Sequence, residues 1–193
     1  MGFDLDPFKI EKIAQCESYI KHINSDELAK FVSQSIFSAI TDFSRLGEPD
    51  VLLICVPTPL TRNREPDLQY VKATVKAIAS SLRPGQLVVL ESTTHPGTTV
   101  EVVQPILEES KLTVEVDFVL AFSPERGDPG NSQFVTASIP KVVGGVGPLS
   151  TRLAEKFYAL VIGEGGYGFL YPSSGNDQAF GEYIPKRQHR SGQ

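Results

Sequence analysis

Short, wholly apolar runs alternate along this chain with segments whose apolar residues return every three or four positions. Val51-Leu52-Leu53-Ile54-Cys55-Val56 shows no polar alternation, the pattern of a strand buried on both faces. Pro57 and Pro59 end it, since neither can donate to a sheet ladder. Leu87–Leu90 repeats the pattern, Phe118–Phe122 predicts a third strand and Lys141–Val143 a fourth. Gly2–Leu5 reads as the end of a short strand, and Ile36–Ile40 as another. Between these runs the period changes to that of a helix. Asp6-Pro7 places a capping side chain before a proline at the first helical position, with Ile10 and Ile13 on one face. Ser25-Asp26-Glu27 opens a second helix to about Gln34, its acids suited to the positive end of the helix dipole. Asp67 caps a helix whose Leu68, Val71, Val75 and Ile78 fall on one side. Arg83-Pro84-Gly85 is a turn. A helix from about Thr98 carries Val102, Val103 and Ile106, and Pro105 within it predicts a bend or shortened hydrogen bonding. Leu149–Leu160 is the last helix.

Strands alternating with amphipathic helices predict an α/β protein with a doubly wound, mostly parallel sheet and right-handed crossovers. Ligands of such sheets bind beyond the carboxyl ends of the strands. The loops after Val56, Leu90 and Phe122 lie at those ends, so the stretch from Val51 to Gly97 is predicted to face a ligand, and a dinucleotide is the expected one. The character changes after Ile162. Residues 163–193 hold seven of the 16 glycines, two prolines and no apolar period. They are predicted to be an irregular or disordered tail beside a domain of residues 1–162.

Composition narrows the functional classes. With 193 residues, 40% hydrophobic and 21% charged, the chain has the make-up of one ordinary globular domain. No apolar run is long enough to span a membrane, and Met1–Ile10 carries Asp4 and Asp6 rather than a signal peptide's apolar core. A cytoplasmic protein is expected. The net charge of −5 and the scattered Lys and Arg argue against nucleic acid as a partner. Cys16 and Cys55 have no metal-ligand or redox spacing, so neither a metal site nor a disulfide scaffold is expected.

The candidate chemistry sits in the three loops. Pro57-Thr58-Pro59 holds a hydroxyl on a stiff loop directly after a strand. It either meets a cofactor or sugar group or caps its own loop. Glu91-Ser92-Thr93-Thr94-His95-Pro96-Gly97 concentrates a carboxylate, three hydroxyls and an imidazole before a helix, and one of the hydroxyls is expected to cap that helix. His95 reads as a surface residue. Ser123-Pro124-Glu125-Arg126 offers a carboxylate at a strand end, either a general base or the partner of Arg126. Asp4, on the residues alone, reads as an ordinary strand-end acid. Gly144-Gly145-Val146-Gly147 precedes a helix, but Ser150 takes the place of the third glycine of a phosphate fingerprint and Pro148 removes an N–H, so it reads as a turn. Cys55 reads as a small buried apolar residue.

Several long strings carry a more specific resemblance: Val51 to Asp67, Glu91 to Thr99, Phe122 to Arg126 with Asp128-Pro129-Gly130-Asn131, and Lys141 to Gly145. In that order, from about Gly2 to Ile162, the chain resembles the nucleotide-sugar 6-dehydrogenases, nearest to those acting on UDP-N-acetylglucosamine or UDP-N-acetylmannosamine. The resemblance implies NAD as cofactor, a UDP-sugar substrate, and two-step oxidation of the sugar C6 alcohol to a carboxylate through a cysteine thioester, for polysaccharide precursor synthesis. It also implies a homo-oligomer in the intact family. It makes Asp4 the acid on the cofactor's ribose and Thr58 a cofactor contact. Thr93 becomes a cofactor contact that also orients the catalytic water, and Glu125 a catalytic carboxylate.

The departures shape the expectation. The family's first strand and Gly-rich loop should precede Met1, and its Gly-His-Cys nucleophile motif does not occur here. The fold expected is therefore an incomplete Rossmann-like sheet, truncated at both ends, inactive as this chain alone and prone to aggregation. The alternative is a non-catalytic module that binds a nucleotide or a partner.

Overall fold

The computed structural model describes residues 1–21, 23–61, 66–124, 141–162, 167–169 and 184–185. The chain forms two compact units, Met1–Pro49 and Asp50–Gln193.

In the first unit, β1 (Gly2–Phe3) pairs in parallel with β2 (Ala39–Ile40). Helix α1 (Pro7–Ala14) starts as predicted, the Asp6 carboxylate accepting the Phe8 N–H at 3.0 Å. Helix α2 (Ser25–Ser33) is capped one residue earlier than its acids suggest, by the Asn24 carboxamide oxygen on the Asp26 N–H. Of Ile36–Ile40, two residues form strand. The buried apolar residues described here are few, Ile13 and Leu46, while Leu5, Phe8 and Ile36 stand exposed.

The second unit holds a six-stranded sheet in the order β3 (Val51–Ile54), β4 (Leu87–Leu90), β5 (Val119–Phe122), β6 (Lys141–Gly145), β7 (Tyr167–Phe169), β8 (Ile184–Pro185). Strands β3, β4 and β5 are mutually parallel, with Ile54 opposite Leu90 and Leu90 opposite Phe122. Helices α3 (Gln69–Ser81), α4 (Gln104–Glu108) and α5 (Pro148–Ile162) complete the unit. The period of two sends Leu87 and Val89 of β4 to one face, where they pack with Val119, Ala121 and Val143 against Ala154 and Tyr158 of α5. Val88 and Leu90 point the other way and are fully buried too, as are Val71, Val75 and Ile78 of α3. Each such side chain contributes roughly 1.5–3 kcal/mol of burial.

Three expectations need correction. Strand β3 is not buried on both faces: Leu52 and Ile54 are buried, but Leu53 is 45% exposed. Among the described residues β3 is an edge strand, and the core under α5 reaches Val51 without reaching Leu53. Cys55 lies past the strand's end and is exposed, not a buried apolar residue. Strand β6 runs antiparallel to β5, in keeping with the mostly parallel sheet expected. The segment expected to be irregular contributes two short strands, with β7 parallel to β6 and β8 antiparallel to β7.

Pro105 acts as predicted, and the structure shows how. The chain enters α4 through a wide turn over Thr99–Val103, in which the Gln104 N–H reaches back to the Thr99 carbonyl. A regular turn would press the proline ring against the carbonyl four residues earlier. The widened turn relieves it.

Candidate functional site at the carboxyl ends of the parallel strands

One residue past the last register pairs of β3, β4 and β5, the side chains of Cys55, Glu91 and Ser123 lie abreast. The ladder continues into them, with the Glu91 N–H on the Ile54 carbonyl at 2.9 Å and the Ser123 N–H on the Leu90 carbonyl at 3.0 Å. The Cys55 thiol donates to Glu91 Oε2 at 3.2 Å. The Tyr158 hydroxyl, reaching up from α5, donates to Glu91 Oε1. Burial, and then the Glu91 carboxylate beside it, push the Tyr158 hydroxyl well above the ordinary tyrosine range, so it remains a proton donor.

The next residues tie the loops together. Buried Ser92 accepts the Val56 N–H at 2.9 Å, and its own hydroxyl lies 2.8 Å from the Val56 carbonyl. The Thr58 hydroxyl donates to the Thr93 carbonyl at 2.6 Å. This uses the Thr58 proton and leaves its oxygen able to accept. The Thr93 side chain itself is exposed. Thr94 Oγ1 is buried with no hydrogen-bond partner among the described residues. The expected capping hydroxyl is not found: Thr98 stands at the N-cap, but its hydroxyl donates to the His95 carbonyl at 2.8 Å instead of accepting a helix N–H, and His95 is exposed.

Asp4 belongs to the first unit. Its Oδ1 accepts the Asp6 N–H at 2.9 Å and its Oδ2 lies 2.7 Å from Lys9 Nζ. Burial alone would raise its pKa, but the Lys9 and Asp6 donors together hold the carboxyl below its ordinary value. Of the four predicted site residues, Thr58 and Thr93 are thus brought into contact and Asp4 is placed in the other unit. Glu125, with Arg126, lies outside the described residues. The roles of Glu91 and Tyr158 were missed. In the sequence Glu91 is one polar residue among several in its loop, and nothing in the periodicity of α5 distinguishes Tyr158 from a plain core aromatic.

The glycine turn before α5 is already supplied with an anion. The Glu115 carboxylate accepts the N–H groups of Leu149 and Ser150, each at 2.8 Å, and the Ser150 hydroxyl. A Cβ on Gly147 would fall 2.5 Å from that carboxyl carbon. The helix end is filled by the protein's own acid, in keeping with a turn rather than a phosphate loop. Among the described residues, no three His, Cys, Asp or Glu side chains group as metal ligands, and no helix is long and apolar enough to cross a membrane.

Parallel strands that end in polar loops at one edge, with helices between them, define a nucleotide-binding α/β domain of the Rossmann-like class. A model of the UDP-glucose/GDP-mannose dehydrogenase family's NAD-binding domain matches residues 1–162, and the chain belongs to that family. It is 31% identical over 166 residues to UDP-N-acetyl-D-glucosamine 6-dehydrogenase of Pseudomonas aeruginosa, covering 86% of this chain and 39% of that protein. It is 33% identical over 159 residues to UDP-N-acetyl-D-mannosamine dehydrogenase of Pyrococcus horikoshii, covering 82% and 38%. Among solved structures, NDP-N-acetyl-D-galactosaminuronic acid dehydrogenase from Methanosarcina mazei superimposes with a TM-score of 0.77 at 31% identity, over 88% of this chain and 38% of that one. The chain spans about two fifths of the length of these relatives.

Proposed function

We propose that this chain is the NAD-holding part of an enzyme that oxidises the C6 alcohol of a UDP-N-acetylhexosamine to a uronate, and that it has no turnover by itself. The observation that carries this reading is the Thr58–Thr93 hydrogen bond, which joins two of the expected cofactor contacts at the carboxyl ends of β3 and β4. The groups there suit a dinucleotide. Thr58 can still accept a hydrogen bond, and Thr93 presents a free side chain to solvent. In the first unit, and by the family resemblance alone, Asp4 is the carboxylate expected to accept from ribose hydroxyls. NAD, when bound, supplies the acceptor for the hydride lost by the alcohol. Glu125 is the expected catalytic carboxylate, and Thr93 is expected to hold the water that releases the acid. The relatives support a substrate of their kind, a UDP-sugar bearing an N-acetyl group. The nucleophile of the second oxidation would have to come from a Gly-His-Cys string, and none occurs in these 193 residues. The family's oligomeric assembly belongs to the proposal in the same way.

Two measurements test it on the chain as it stands. Calorimetry with NAD should show saturable heat, weakened by Thr58→Val, and no heat at millimolar NAD overturns the cofactor assignment. Incubation with NAD and UDP-N-acetylglucosamine should yield no rise in NADH absorbance. Steady turnover overturns the reading of the chain as a partial site.

A further inference from the structure

Tyr158, Glu91 and Cys55 form a hydrogen-bonded strut beneath the loop that carries Thr93, and the cofactor reading uses none of them. We propose that Tyr158 is a positioning residue: through Glu91 it fixes the turn from Glu91 to Thr94, on which the Thr93 contact stands. The inference rests on the reading above and adds a residue to it.

The turn is held from three sides. Ser92 ties it to Val56, and Thr93 is tied to Thr58. Glu91 ties it to Cys55 at the end of β3 and, through Tyr158, to α5. The first two anchors stand on the loop after β3, where Pro57 and Pro59 cannot donate to a sheet ladder. Tyr158 stands on a helix whose N-terminus is clamped by Glu115, so it gives the turn a second rigid attachment, to α5, beside the backbone bonds that Glu91 and Ser92 make to Ile54 of β3. A site held by helix or strand side chains keeps its geometry better than one held by loops alone. The chemistry of the hydroxyl points the same way. Tyr158 is 2% exposed in an apolar cluster, where phenylalanine would pack as well without a polar atom to desolvate. A buried hydroxyl is worth its place where it makes a bond, here to a carboxylate.

The test is residue-resolved amide exchange on Tyr158→Phe and Glu91→Gln, with NAD titration of the same samples. In the wild type the Glu91 and Ser92 N–H groups donate to Ile54 and the Val56 N–H to Ser92, so all three report on the turn. Tyr158→Phe should speed exchange at these three by roughly tenfold or more, as expected for loss of a hydrogen bond to a charged group. Val88 and Leu90 should keep their protection, and NAD affinity should fall. Glu91→Gln keeps an acceptor for Tyr158 and should lie between wild type and Tyr158→Phe. Unchanged exchange at the three amides, or equal loss through β4, overturns the proposal, as does local loosening with unaltered NAD affinity. If the wild type binds no NAD, the cofactor reading fails instead, and the exchange pattern alone then decides the strut.

Discussion

The carboxylate of Glu115 caps α5 from 34 residues away, accepting the backbone N–H of Leu149 at 2.8 Å. Glu115 reaches this position from a left-handed backbone at φ +67°, a conformation that costs a non-glycine residue roughly 1–2 kcal/mol. The cap offsets that cost. Glu115→Ala should therefore lower stability by about 1–2 kcal/mol in urea unfolding, because the strain stays and the cap is lost. Glu115→Gly, free of the strain, should lose less. Gly147→Ala should pry the same carboxylate away, so its effect should not add to that of Glu115→Ala. Additive losses would show that the two act separately.

The elements that came through in the sequence are those whose signal is local. Val71, Val75 and Ile78 repeat at the helical period and are buried; Leu87–Leu90 is apolar throughout and lies between two strands. The Asp6 cap is an interaction between neighbours. What was not legible depends on residues distant in the chain. Leu53 looks like its neighbours in the apolar run, and its exposure is decided by which strands flank β3. Glu91 and Tyr158 meet across 67 residues, and no period marks a hydroxyl within an apolar helix face. The antiparallel setting of β6 has the same origin, since an apolar run does not encode its direction. At the site, Thr58 and Thr93 could be placed because the strings around them are long. Their hydrogen bond is a product of the β3–β4 register.

That bond makes a prediction with two readouts. Thr58→Val removes the donor to the Thr93 carbonyl and should cost about 1 kcal/mol of stability. It should weaken NAD binding by more than this loss of folding alone explains. Thr58→Ser keeps the hydroxyl and should restore both. If valine and serine weaken NAD equally, the hydroxyl is not a cofactor contact.

Asp4 and Lys9 set a pH window for the first unit. The pKa of Asp4 is held below 3.8, so its contribution is present above that value and disappears as pH falls through the lower, folded value. The hydrogen bond that Lys9 donates to Asp4 raises Lys9 above 10.5, so that contribution is present below 10.5 and disappears as pH rises through the folded value. The pair is partly exposed and worth at most about 1 kcal/mol. A carboxyl-carbon NMR titration should place Asp4 below the ordinary range, and Lys9→Met should move it back up. On the cofactor reading, the same carboxylate repels a 2′-phosphate, so NAD should bind more tightly than NADP, and Asp4→Asn should narrow the gap.

Leu53 bears on the chain's self-association. It is an apolar side chain, 45% exposed, on a strand that is the sheet's edge among the described residues. An apolar edge strand is a template for pairing with another chain, and natural edges carry charge to prevent it. Leu53→Lys places a charge where a leucine is already half in water, so it should change stability by less than about 0.5 kcal/mol, as surface substitutions do. It should nevertheless suppress concentration-dependent light scattering. Leu52→Lys, one position away and pointing into the core, should instead unfold the unit. If Leu53→Lys destabilises as strongly as Leu52→Lys, the exposed face of β3 is covered in solution. If it leaves scattering unchanged, the association arises elsewhere, and the exposed Leu5, Phe8 and Ile36 of the first unit are the next residues to replace.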